Sequence, residues 1–149
     1  AINCVGKSVA FTIVIDGTEP SACISQIGDD SQLVDQTTTV ELGSTVPVAI
    51  RMSDNDGVSG TTDITRCMLE CRRVSEDNWN LVTYRANQGL WQIAVTGDTT
   101  MVIMDWDLKR YDVGVYQVRA VAIDQEGNTS VLHSCYCTVN VVMPPRIRQ

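Results

Sequence analysis

Apolar residues recur at every second position along this chain, run after run, and the three-and-four spacing of an amphipathic helix is nearly absent. That single pattern restricts the chain to strands. The first run is Val9–Ile15, and a short second one, ACISQI, follows Pro20. TTTVELG and TVPVAIRMS come next, the latter placing Val46, Val48, Ile50 and Met52 on one face. In ITRCMLECRRV, Cys67, Leu69 and Cys71 share a face. NLVTYRA, LWQIAVT and TMVIMDW continue the pattern, and GVYQVRAVAID sets Tyr116, Val118, Ala120 and Ala122 on one side. LHSCYCTVNVV is the last run. Gly, Asp and Asn turns separate them. About ten short strands punctuated in this way predict an all-β fold built as a two-sheet antiparallel sandwich. A doubly wound α/β fold needs helical stretches between its strands, and none is found.

Composition narrows the function classes. At 149 residues the chain is read as one domain, with 44% hydrophobic and 19% charged residues, an ordinary globular balance. The net charge is −7, the only lysines are Lys7 and Lys109, and the arginines form no stripe. Nucleic acid is therefore not an expected partner, because phosphate contacts need concentrated positive charge. No apolar run approaches the length of a membrane span. No signal-peptide pattern is visible, and a start at Ala1 fits either a cleaved leader or a removed initiator methionine.

Two stretches point to a family. VPVAIRMSDNDGVSG followed by ITRCMLECRRV resembles the B–C region of bacterial immunoglobulin-like (Ig-like) modules. DWDLKRYDVGVYQVRAVAIDQEGNTS is similar to their E–F–G region, and its G-x-Y-x-x-x-A-x-A-x-D-x-x-G-N pattern is the most specific signal in the sequence. The resemblance, to bacterial and phage Ig-like or fibronectin-like β-sandwich modules, covers Pro20 to Pro145. It implies an Ig-like sandwich over residues 20–149, preceded by an N-terminal extension over residues 1–19. In tandem arrays of such modules a last strand runs into an Asp-x-x-x-Pro linker before the next module begins. FTIVIDGTEP looks like that junction, so the strand at the front of the chain is surplus to one sandwich.

A surplus strand needs partners for its backbone groups. It can enlarge a sheet of its own sandwich, or it can add to an edge of a neighbouring copy and propagate head to tail. In the second case Val9, Phe11, Ile13 and Ile15 form one face of the joining strand, and Ala10, Thr12 and Val14 the other. The expected partners are then other copies of the same chain, in an extracellular or cell-surface filament. A phage virion decoration or tail module, and a monomeric glycan-binding adhesive module displaying Trp79, Trp91, Trp106 and Tyr84, are the alternatives.

Cys4, Cys23, Cys67, Cys71, Cys135 and Cys137 make an even count in a lysine-poor chain, which favours disulfides and an oxidising compartment. The competing reading is buried free thiols acting as small hydrophobes. Zinc is disfavoured by the CxxxC and CxC spacings and by His133 being the lone histidine. Three acidic clusters, Asp16 with Glu19, Asp54 with Asp56, and Asp124 with Glu126 and Asn128, are expected to converge at one pole of an Ig-like sandwich. Hard oxygen ligands on loops suit Ca²⁺, although the same residues are what tight turns use. No nucleophile elbow, P-loop or HExxH motif is present, and the expected role is not enzymatic. Asn128-Thr-Ser matches a glycosylation sequon in a turn.

Overall fold

The structure is a computed structural model that describes residues 19–34, 36–53, 64–86, 93–96, 99–131 and 135–145. Among these, nine strands form: β1 (Ser21–Ile27), β2 (Thr37–Glu41), β3 (Thr45–Ser53), β4 (Ile64–Arg73), β5 (Asn80–Ala86), β6 (Ile93–Thr96), β7 (Thr99–Asp107), β8 (Gly114–Asp124) and β9 (Tyr136–Val142). They build two sheets, ordered β1-β3-β7-β6 and β2-β9-β8-β4-β5. This is the strand order of an Ig-like sandwich with an added strand beside the third. The N-terminal strand expected over Val9–Ile15 lies outside the described residues, as does nearly all of the extension over residues 1–19.

One feature departs from the antiparallel expectation. β2 runs parallel to β9, from Thr37 beside Thr138 to Glu41 beside Val142. The cause is a change of sheet. β1 pairs antiparallel with β3, ends at the turn through Gly28, and the chain crosses over to meet β9 travelling in the same direction. Pro47 helps to end β1. Its carbonyl accepts the Gly28 amide at 2.8 Å, and a proline offers no N–H to continue that ladder.

Period-two alternation decides what is inside. Val46, Val48, Ile50 and Met52 of β3 are buried, as are Val102, Met104 and Trp106 of β7. Cys67, Leu69 and Cys71 of β4 and Tyr116, Val118, Ala120 and Ala122 of β8 face them from the second sheet. Trp106 is fully buried and packs edge-on against Tyr111 at 5.7 Å, which meets Tyr116 edge-on at 5.8 Å. A large indole from β7 thus fills the middle of one end of the core.

The G-x-Y…D-x-x-G-N pattern lies along β8 and its following turn, and its residues serve the fold. Gly114 has φ 148°, and a Cβ there would come within 2.7 Å of the Arg73 side chain. Tyr116 donates its hydroxyl to the Asp112 carbonyl at 2.9 Å, tying the corner between the sheets. The Asp124 carboxylate accepts the amides of Glu126 and Asn128 and the side-chain amide of Asn128. Gly127 supplies the positive φ, 86°, that this turn requires.

Of the cysteines, Cys23 and Cys135 are bonded, across 112 positions of sequence. The bridge joins β1 of one sheet to the approach to β9 of the other. It clamps the sandwich near its margin, where Ig domains of the antibody kind place theirs through the centre. Cys67, Cys71 and Cys137 are buried free thiols, which corrects the expectation that they are bridged. Sheet geometry explains it. Cys67 and Cys71 sit about 13 Å apart along one strand. Cys71 and Cys137 both flank Val118, about 9.5 Å apart across two strand spacings. Neither separation can be bridged without moving backbone. Cys4 lies outside the described residues.

Closing a loop this long by Cys23–Cys135 restricts the unfolded chain strongly. Reduction is expected to destabilise the fold by about 4 kcal/mol, read as a lower denaturant midpoint in reductant. Trp106→Ala is expected to cost about 3–5 kcal/mol through the cavity it leaves, measured the same way.

Candidate functional site

Asp124 is 2% exposed, and both of its oxygens are taken by the turn that follows β8. Those bonds are why the sequence places Asp, Gly and Asn there. Of the other candidate calcium ligands, Glu19, Glu126 and Asn128 are described, whereas Asp16, Asp54 and Asp56 lie outside the described residues. Among the described residues, no group of three or more His, Cys, Asp or Glu side chains is arranged to hold a metal ion. Asn128 donates its Nδ2 to Asp124 at 2.9 Å, so the nitrogen that a glycan would use is already engaged.

The free thiols form no reactive centre. Burial pushes Cys67 up to about 12 and Cys137 up to about 11. Cys71 is also raised by burial, against the opposing effect of its hydrogen bond to the Tyr111 hydroxyl at 3.7 Å. Tyr111 itself is raised to about 12, again chiefly by burial. A thiol is nucleophilic as the thiolate, and these sites hold the proton. His133 lies outside the described residues.

Among the described residues the aromatics do not assemble a sugar platform. Trp106 belongs to the core, and Trp91 lies outside the described residues. Trp79 folds from the β4–β5 turn onto the outer face of the five-stranded sheet. There it is held between two guanidiniums, Arg72 at 4.4 Å and Arg119 at 4.2 Å from its ring centre, with Tyr136 at 5.9 Å. Arg119 is itself paired with Glu70 at 2.9 Å, and Arg72 donates to Gln117 at 2.9 Å. The cluster is an internally satisfied brace, built from alternate outward residues of β4, β8 and β9. Tyr84 on β5 is 62% exposed.

β7 pairs with β3 along its whole length, from Thr99 to Asp107, and, among the described residues, with β6 through Thr99, Thr100 and Met101. Beyond Met101, the side of β7 away from β3 has no strand partner among the described residues. By the pairing period, Ile103, Asp105 and Asp107 direct their backbone N–H and C=O groups to that side. The Arg85 guanidinium reaches across from β5 to the Ile103 carbonyl at 3.4 Å. A groove of about 620 Å³ is lined by Leu81, Val82 and Thr83 of β5 and by Asp105, Asp107, Arg110 and Tyr111. Alternation along β7 turns the Asp105 and Asp107 side chains outward while Trp106 between them points into the core.

No protein-family model matches the sequence, and no curated protein matches it. Solved structures match in shape. A Niemann-Pick type C2 protein from Japanese carpenter ant is 6% identical, with a TM-score of 0.51 over 88% of this chain and 100% of that one. The CARDB domain of a Pyrococcus furiosus protein, solved in complex with di-metal ions, is 10% identical, with a TM-score of 0.49 over 87% of this chain and 98% of that one. A β-glucosidase from Listeria innocua is 11% identical, with a TM-score of 0.48 over 84% of this chain, and the match spans 16% of that enzyme. At these identities the likeness is one of fold. The strand order and the first of these structures agree on an Ig-like β-sandwich.

The buried thiols and Tyr111 set a pH dependence. Their ordinary values are 9.0 and 10.0, and the folded state raises Cys67 and Tyr111 to about 12 and Cys137 to about 11. Below pH 9 both states keep these protons and the contribution is intact. From pH 9 to about 12 the unfolded chain releases them first, so stability falls as pH rises through that window. Denaturant midpoints measured across it should decline, and Cys67→Ala with Cys137→Ala should flatten the decline. Under native conditions at neutral pH, Cys67, Cys71 and Cys137 are expected to resist iodoacetamide until the chain is unfolded.

Proposed function

We propose that this chain is a non-enzymatic structural subunit of an extracellular filament or surface assembly, and that it joins neighbouring copies by adding its N-terminal β-strand to a sheet of the next subunit. The observation that supports this best is the strand inventory. Nine strands from Ser21 to Val142 fill every position of an Ig-like pattern, so the apolar run Val9, Phe11, Ile13, Val14 and Ile15 is not called for by one sandwich.

Each ladder hydrogen bond is worth about 0.5–1.5 kcal/mol net, and each large apolar side chain taken from water adds about 1.5–3 kcal/mol; these gains stand against the cost of ordering the strand and of holding two subunits together. Because donor and acceptor are different surfaces, the contact is heterologous and propagates.

The Cys23–Cys135 bridge favours a compartment that sustains disulfides, and so the extracellular reading over a virion module assembled in a reducing cytoplasm. Among the described residues no helix is long and apolar enough to cross a membrane. The β8 pattern from Gly114 to Asn128 supports kinship with bacterial or phage Ig-like modules, which commonly work as structural units.

Removing residues 1–16 should leave a folded monomer with an unchanged circular dichroism spectrum that no longer polymerises, as followed by sedimentation velocity. A truncated chain that assembles as the whole one does would overturn the reading.

A further inference from the structure

We infer that copies of this chain also meet face to face, the outer face of the five-stranded sheet of one copy lying on the outer face of the four-stranded sheet of the next. Arg72, Trp79 and Tyr136 form the first surface, and Asp105, Asp107 and Pro47 the second. This contact goes beyond the strand addition proposed above and does not depend on it, because each of these residues belongs to the sandwich itself.

The first surface has the composition of an interface centre. Trp79 and Tyr136 come from a chain with only three Trp, four Tyr and one Phe, and both reach the surface. Tyr136 is 55% exposed. Trp, Tyr and Arg are the residue types that carry most of the binding energy at protein interfaces. Here they are already held in place. Arg72 and Arg119 lie 4.4 Å and 4.2 Å from the centre of the Trp79 ring, and Tyr136 packs beside it. Docking would therefore order few new groups.

Charge decides what this surface accepts. Arg119 is neutralised by Glu70 at 2.9 Å. Arg72 bonds only neutral acceptors, the Gln117 side chain at 2.9 Å and the Asp77 carbonyl at 3.2 Å, and among the described residues no carboxylate pairs with it. The patch thus holds one uncompensated positive charge on a chain of net charge −7. Two such patches facing each other would set Arg72 against Arg72, so a two-fold contact through this face is disfavoured. The fitting surface is an acidic one.

The same chain presents that surface on its opposite side. Asp105 and Asp107 point outward from β7, are exposed, and among the described residues form no ion pair. Ile103, in the same row, is 45% exposed. Next to this row on β3 stand Ala49, Pro47 and Thr45, paired with Ile103, Asp105 and Asp107 in turn. Their side chains are short, so the sheet surface is low beside the carboxylates and has room for the Trp79 and Tyr136 rings. Arg72 then meets Asp105. Because the two surfaces differ and lie on opposite faces of one sandwich, the contact is heterologous and continues from copy to copy.

The test is charge reversal in the full-length chain, read by sedimentation velocity, with thermal melting as a fold check. Arg72→Glu and Asp105→Arg should each weaken self-association about tenfold or more, because each sets like charges against one another. An equimolar mixture of the two variants should associate again. In the mixture the two reversed charges meet at one contact, and the original pair forms at the next. Tyr136→Ala removes an exposed ring without touching either guanidinium, and should weaken association even if Arg72→Glu unsettles the fold. A parent chain that stays monomeric at millimolar concentration overturns the contact. Variants that associate as the parent does also overturn it and leave strand addition untouched, since the truncation of residues 1–16 tests that separately. A mixture no better than either variant alone shows that the Trp79 cluster braces its own sheet and nothing more, which overturns the inference.

Discussion

The structure depends on the inner faces of β3 and β7 meeting those of β4 and β8 without a gap. Along these strands every second residue is withdrawn from water, from Val46 to Met52 and from Val102 to Trp106 in one sheet, and from Cys67 to Cys71 and Tyr116 to Ala122 in the other. A shift of one residue in any of these strands would turn its whole apolar row outward. The long, unbroken pairing of β3 with β7, from Thr45 beside Asp107 to Ser53 beside Thr99, keeps that register. Large and small residues alternate across the interior. Ala120 and Ala122 on β8 and Trp106 and Met52 of the other sheet are all buried. With the centre filled this way, the disulfide is free to sit at the margin, between Cys23 and Cys135, where it resists separation of the sheets.

The same constraint explains why the most recognisable motif carries no chemistry. Gly114 is glycine because its φ of 148° is a conformation that side-chain-bearing residues rarely adopt, and the neighbouring Arg73 stacks over Tyr116 at 5.1 Å. Tyr116 anchors the Asp112 carbonyl. Asp124 gathers the amides of its own turn and is buried as it does so. Both oxygens of this carboxylate are engaged by its own turn. Turn chemistry, one of the two readings open for an Asp-x-x-Gly-Asn sequence, accounts for each bond seen at Asp124.

Much of the fold was legible because period two is a strong signal where one face is buried. The inner rows of β3, β4 and β8 follow the alternation residue for residue. The parallel pairing of β2 was not legible, since alternation carries no direction, and direction here comes from the crossing after Gly28. Nor was the fate of the thiols. Cys67, Cys71 and Cys137 fit a disulfide pattern and a core pattern equally well in sequence, and only the strand spacings separate the two. In sequence Trp106 suits a surface platform as well as a core, because a tryptophan flanked by two aspartates fits either face. Its pairing opposite Val46, itself buried, places it inside.

Edges are where a sandwich is most exposed to unwanted pairing, and this one blunts them by different means. β1 has a register shift between Ile24 and Gln26 and stops at a turn. β2 is short, with Thr37, Thr39 and Glu41 outward. On β7, Asp105 and Asp107 point outward. Carboxylates so placed oppose the approach of a purely apolar strand, which would strip their water without offering a counter-charge.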